Sequence, residues 1–252
     1  MCCFSRPVDL VADTNIFARP SKDGRQFLVY SMKFQAGEDL AMILPIPTPE
    51  KSPEDAVKFL NLEKYPEFFD DLKAGFPVPP PPRAKAAPGG LGGLGAEPKL
   101  AVVEVGKFVA SFVPTIKDFA RVDAQFKLPD GVWDKLPQYK DFGFAVFKLK
   151  KGEKGGTQKV HPMAFEFPRA DKGVLFFPTV HIHDGTVPAK ARFDHAMYCQ
   201  LDAPAPMSWT ESPGLAEGFM KKLKEAHGII NPKGHVYRRT LRGTYENKDV
   251  AV

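Results

Sequence analysis

Apolar residues fall in short blocks along most of the chain, and clusters of turn-forming residues separate the blocks. Residues 8–18 and 26–34 are β-prone and flank Arg19-Pro20-Ser21-Lys22-Asp23-Gly24, which predicts a hairpin. Residues 39–47 form a third apolar block whose prolines, Pro45 and Pro47, predict an edge strand or one that leaves its sheet. Further blocks at 102–112, 142–149, 162–167, 174–183 and 193–201 bring the expected strands to eight. Helix signals are fewer. Ser52-Pro53-Glu54-Asp55 combines an N-cap, a first-turn proline and acids at the positive end of the dipole, predicting helices over 53–74 that end at Gly75. Ser212-Pro213 repeats that start, and Leu215, Phe219 and Leu223 recur every four residues up to Gly228, predicting a helix over 213–227. Residues 115–123 follow Pro114 and predict a third. The pattern as a whole predicts an α+β fold, predominantly antiparallel β-sheet with a few peripheral helices.

The organisation is interrupted once. Pro77-Val78-Pro79-Pro80-Pro81-Pro82 runs into Gly89-Gly90-Leu91-Gly92-Gly93-Leu94-Gly95, so polyproline-type extension passes into flexible coil, and residues 77–98 are expected to form a linker or long loop. The first 76 residues are too few to hold much of a core alone. Residues 1–252 are therefore expected to make a single composite domain of two lobes.

Composition narrows the function classes. With 43% hydrophobic and 26% charged residues the chain folds around a core, which excludes global disorder. The 25 prolines are about twice the usual ~5% and argue against an all-α fold. A net charge of +5 without a basic block gives no reason to expect a nucleic-acid partner. No stretch approaches the ~20 apolar residues that span a bilayer, and the first residues lack the pattern of a signal peptide, so no membrane partner and a cytoplasmic location are expected. Three cysteines, two of them adjacent, are not a disulfide framework, which leaves the thiols for metal binding or chemistry.

Three groups of residues carry candidate chemistry. Removal of Met1 would leave Cys2 with an amine near pKa ~8 and a thiol near ~8.5, a pair that chelates a metal or acts as an amine-assisted nucleophile. Cys3 adds a second thiol. His181-Ile182-His183 would place two imidazoles on one face of a strand, a spacing that suits one metal. In Phe193-Asp194-His195-Ala196-Met197-Tyr198-Cys199, a strand would align His195, Met197 and Cys199, and antiparallel pairing with the strand ending at His183 would bring His195 to the imidazole pair. His161, before Pro162, is a further candidate ligand. No dinucleotide fingerprint, phosphate loop or serine-hydrolase elbow is present.

The expected function is metal binding at a mononuclear site of Cys2, Cys3, His181 and His183, with His161, His195 or Cys199 in reserve. Thiolate with imidazole favours copper or zinc; copper would allow an oxidoreductase, and zinc with an open position would allow hydrolysis. A small molecule or metal is the expected ligand. Two other readings stand beside this: an N-terminal-nucleophile amidohydrolase with Cys2 as catalytic residue, and a non-catalytic binding scaffold.

The cysteine start, Ala12-Asp13-Thr14-Asn15-Ile16-Phe17-Ala18, Leu40-Ala41-Met42-Ile43-Leu44-Pro45-Ile46-Pro47, Tyr139 to Leu149, His161-Pro162-Met163-Ala164-Phe165 and Phe177-Pro178 together resemble a bacterial family of uncharacterised proteins with an N-terminal cysteine. The resemblance implies a mixed, β-rich domain and no particular activity. In that family a secretion signal precedes the cysteine; with Met1-Cys2 as its first residues this sequence shows none, so export is not expected from the resemblance.

Overall fold

The structure is a computed structural model that describes residues 3–77, 103–105, 108–151, 157–159, 161–202 and 207–252. Apart from Pro77, the segment expected to loop out at 77–98 lies outside the described residues. In chain order the strands are β1 (Cys3–Phe4), β2 (Leu10–Pro20), β3 (Arg25–Gln35), β4 (Leu40–Ile46), β5 (Lys58–Asn61), β6 (Val103–Val105), β7 (Phe108–Val113), β8 (Gly143–Leu149), β9 (Gln158–Lys159), β10 (Met163–Pro168), β11 (Phe176–Phe177), β12 (Lys190–Cys199), β13 (Thr210–Glu211), β14 (Tyr237–Glu246) and β15 (Val250–Ala251). One short α-helix, α1, spans Phe68–Ala74. A five-stranded sheet runs β1-β4-β8-β7-β6, an eight-stranded sheet runs β13-β14-β12-β2-β3-β10-β5 with β9 beside β3, and β11 pairs with β15. Every pairing is antiparallel except β12 with β2, so the fold is mostly antiparallel β-sheet with few, short helices.

Side-chain alternation stacks these sheets. Along β4 every residue is buried, but Leu40, Met42, Leu44 and Ile46 enter one core while Ala41 and Ile43 enter another. The same split occurs on β8, with Ala145, Phe147 and Leu149 on one side and Phe144 and Val146 on the other. The first core lies between the two large sheets, since it also takes Ile16, Leu28, Tyr30, Phe165 and Met197 from the eight-stranded sheet. The far face of that sheet, through Phe17, Val29 and Tyr198, packs on α1 and on residues 216–236. Phe147 and Phe165 meet at 5.8 Å and Phe59 closes on Phe147 at 5.6 Å; each fully buried ring stabilises the fold by roughly 1.5–3 kcal/mol.

The predicted hairpin is β2–β3, and its turn sets Asp23 and Gly24 at φ of 57° and 71°, a left-handed pair that glycine accommodates without strain. Pro45 is not on an edge strand: β4 lies between β1 and β8. However, β1 covers only Met42 and Ile43, so the missing N–H of Pro45 breaks no pairing on that side.

The helices depart furthest from expectation. Residues 58–61, expected within a helix, form β5, because Phe59 pairs with Phe165 of β10. Among the described residues only Phe68–Ala74 is α-helical. Residues 213–227 form two 3-10 turns, Ala216–Gly218 and Leu223–Ala226, rather than a helix. Two glycines, Gly214 and Gly218, weaken a helix there. The amide of Lys221, which would bond within a helix, instead donates to the Asp71 carboxylate on α1 at 3.1 Å. That carboxylate also accepts from Tyr65 Oη at 2.7 Å and faces Lys221 Nζ at 3.1 Å. Burial opposes its charge, but these donors hold its pKa below the ordinary value. Residues 115–123 likewise contain a 3-10 turn at Ile116–Arg121. Conversely, residues 237–246, outside the eight expected strands, form the ten-residue strand β14.

Candidate functional site

The chain start and the histidine segment do meet. Cys3 bridges Ile182 in parallel, and the Phe4 amide donates to the Ile182 carbonyl at 3.1 Å. Residues 180–183 are not a regular strand; they are strapped by the C-terminal arm that follows β14. The Asn247 side chain accepts from the His181 amide at 2.7 Å and donates to the His181 carbonyl at 3.0 Å. Asp249 accepts from the amides of Thr179 and Val180 at 2.6 and 3.0 Å and from Tyr139 Oη at 2.5 Å. Burial outweighs these donors and raises the Asp249 pKa, and burial beside that carboxylate raises that of Tyr139 as well.

The arm presses the histidines onto β12. His181 stacks on His183 with centroids 5.4 Å apart and an interplanar angle of 22°, lies 5.2 Å from His195, and touches Phe193 at 4.3 Å. Phe4 meets His183 edge-on at 5.8 Å. Antiparallel pairing with the histidine segment is not what delivers His195, because β12 pairs with β14 and β2. Burial drives the His181 pKa down to about 2, that of His183 to about 4, and that of His195 well below the usual value, so all three rings are neutral at neutral pH. His181 is 5% exposed, and its Nε2 has no hydrogen-bond partner among the described residues. Beside the pair an open cleft of about 280 Å³ is lined by His181, His183, Asp184, Thr186, Pro188, Ala191 and Arg192.

The remaining candidates lie elsewhere. Cys2 is outside the described residues. Cys3 is fully buried on β1, and Cys199 is fully buried at the end of β12, four residues from His195, where burial pushes its thiol up to about 12. His161 precedes β10, and β2 and β3 stand between β10 and β12. Among the described residues no group of three or more histidine, cysteine, aspartate or glutamate side chains is arranged to hold a metal ion. The expected metal-binding function, with its copper or zinc oxidoreductase, is therefore corrected: His181 stacks on His183 and tilts against His195 and Phe193, so the imidazoles pack as rings in a buried wall.

A second feature of the same rim was not expected. β13 covers only Tyr237 and Arg238 of β14, so from Arg239 to Glu246 the outer edge of β14 has no strand partner among the described residues. Strand alternation identifies its free groups. Val236 faces outward, its carbonyl accepting from Ser212, whereas Asn247 faces β12 and donates to Ala189. Thr240, Arg242 and Thr244 thus turn N–H and C=O outward, while Leu241, Gly243 and Tyr245 turn theirs toward β12. Tyr245 Oη reaches the outward Arg242 carbonyl at 3.3 Å. Tyr245 also packs edge-on against Phe193 at 5.8 Å, which joins this edge to the histidine wall. The sequence signal was present: Tyr237, Thr240, Leu241, Thr244 and Tyr245 are β-prone, but three arginines among them interrupt the apolar pattern.

No family model and no curated protein matches the chain. Among solved structures it is similar to baculovirus P35, at 17% identity and a TM-score of 0.48 over 99% of this chain and 98% of that one. It is also similar to a mutated baculovirus P35 after caspase cleavage, at 16% identity and a TM-score of 0.47, over 95% of this chain and 98% of that one. A third is a caspase-8/P35 complex, at 15% identity and a TM-score of 0.44, over 95% of each chain. The resemblance to a bacterial family with an N-terminal cysteine is thereby overturned. Against the expected small-molecule or metal partner, the P35 of that third structure is in complex with a protein, caspase-8. No helix among the described residues is long and apolar enough to cross a membrane.

Proposed function

We propose that this protein acts by binding a polypeptide, which adds as a strand to the outer edge of β14. The observation that supports the reading is the run of outward N–H and C=O groups at Thr240, Arg242 and Thr244, unpaired by any described strand on a ten-residue strand that is otherwise fully registered with β12. Such an edge is a template for main-chain pairing and is ordinarily shortened, covered or bulged away. The histidine wall behind it supports the edge: three neutral rings and Phe193 make a firm backing for Leu241 and Tyr245.

Residue-resolved hydrogen exchange of the free chain tests the reading. The Thr240, Arg242 and Thr244 amides exchange without protection while those of Leu241 and Tyr245 are slowed. Equal protection of both sets would mean that the edge is already covered, and the reading fails. Caspase-8, the protein bound to P35 in the complex above, is the first partner to titrate against the full chain. A cytoplasmic location belongs to the same proposal and rests on the composition, since three cysteines, two of them adjacent, are no disulfide framework.

A further inference from the structure

The open edge carries a sign of charge as well as a set of hydrogen bonds. Arg238, Arg239 and Arg242 lie on β14, whose only acidic residue is Glu246 at its far end, where it pairs with Lys248. Arg238 is occupied over the Phe76 ring at 4.5 Å. Arg242 is largely exposed, and its single ion pair, to Asp194 at 3.4 Å, is also exposed. Arg239 stands on the opposite face from Arg242, so the two guanidiniums flank the outward N–H and C=O groups from both sides of the sheet. Between them and Tyr245, Gly243 leaves open space where a Cβ would stand, room for a neighbouring strand's side chain to lean inward.

Three occupants can be compared on these features. A second copy of the chain, pairing through the same edge, would set arginines of one β14 against arginines of the other in a two-fold arrangement, and like charges directly opposite are destabilising. A basic strand meets the same penalty. An acidic strand meets none, and gains charge-assisted pairing on both faces.

We infer that the outer edge of β14 takes up an extended acidic segment of a partner protein, which pairs with Thr240, Arg242 and Thr244 and sets carboxylates against Arg239 and Arg242. This rests on the polypeptide-binding reading above and names the chemistry of the partner.

The test uses the full chain and three labelled peptides of one extended design, Thr-X-X-Val-X-X-Thr with X as Glu, Gln or Lys on both faces, followed by fluorescence anisotropy. The Glu peptide binds roughly tenfold or more tighter than the Gln peptide, and the Lys peptide binds weakest. Reversing the charge with Arg239→Glu and Arg242→Glu together inverts that order. Thr244→Pro, which removes an outward N–H and no bond to β12, weakens all three peptides; if that variant unfolds, Thr240→Pro provides the same readout. Equal binding of the Glu and Gln peptides overturns the acidic preference. Glu-peptide binding that survives both proline variants overturns the site. If none of the peptides binds, the inference is overturned, while the exchange measurement on the free chain separately decides whether the edge is open.

Discussion

Acidification should unfold this protein earlier than its carboxylates alone would, through the buried histidines. His181 and His195 are 5% and 1% exposed, and burial lowers the first to about 2 and the second well below the ordinary 6.5. In the unfolded chain both rings take up protons near ~6.5; in the folded chain they do not. The unfolded state therefore binds more protons below that value, so the stability due to neutral burial is complete above it and is lost as the pH falls. One pH unit below the unfolded value, each ring has cost roughly 1.4 kcal/mol, so the two remove about 3 kcal/mol between about pH 7.5 and 5.5. His183, lowered to about 4, also stays neutral in the folded chain over this range and adds to the same slope. Against a total of roughly 5–15 kcal/mol that loss is large, and urea unfolding followed by tryptophan fluorescence resolves it. The double variant His181→Leu/His195→Leu removes most of the slope. Wild-type stability that is flat within about 0.5 kcal/mol over this range, or a slope unchanged in the double variant, would refute the argument.

Two further substitutions probe the parts that hold the rim. Asp249→Ala strands the amides of Thr179 and Val180 and the Tyr139 hydroxyl, and costs about 3–5 kcal/mol in urea unfolding, whereas Asp249→Asn keeps an acceptor for the amides and costs about 1 kcal/mol; equal costs would show that the arm does not rely on those bonds. Gly75→Ala puts a Cβ within 2.7 Å of the Phe219 ring and destabilises by about 1–3 kcal/mol, measured as a lowered unfolding midpoint, unless the ring turns aside without loss.

Much of the sheet was legible because strand formation here follows local pattern. The Ser21 to Gly24 turn between two β-prone blocks is a local signal, and β8, β10 and β12 begin and end close to their apolar blocks. The helix over 213–227 was misread because periodicity at Leu215, Phe219 and Leu223 describes a face, not a hydrogen-bond pattern; the Lys221 amide finds Asp71, 150 residues away in sequence, which no local rule contains. At the rim, the expected metal site required Cys3 to reach the histidine pair, and His195 was expected there through a strand pairing that the structure does not have. Spacing places imidazoles near one another but does not orient their nitrogens, and it is burial by Phe4, Phe193 and the Asn247–Asp249 arm that makes them neutral packing groups. β14 was missed because its arginines mask a β-prone alternation, and because its stability comes from ten residues of register with β12.

The central claim is that the outward groups of Thr240, Arg242 and Thr244 receive another polypeptide. Hydrogen exchange of the full chain, measured with and without the Glu peptide, tests it most directly. The account predicts that the peptide slows those three amides and leaves the cleft residues from His181 to Arg192 unchanged; slowing at the cleft with all three β14 amides unaffected would contradict it.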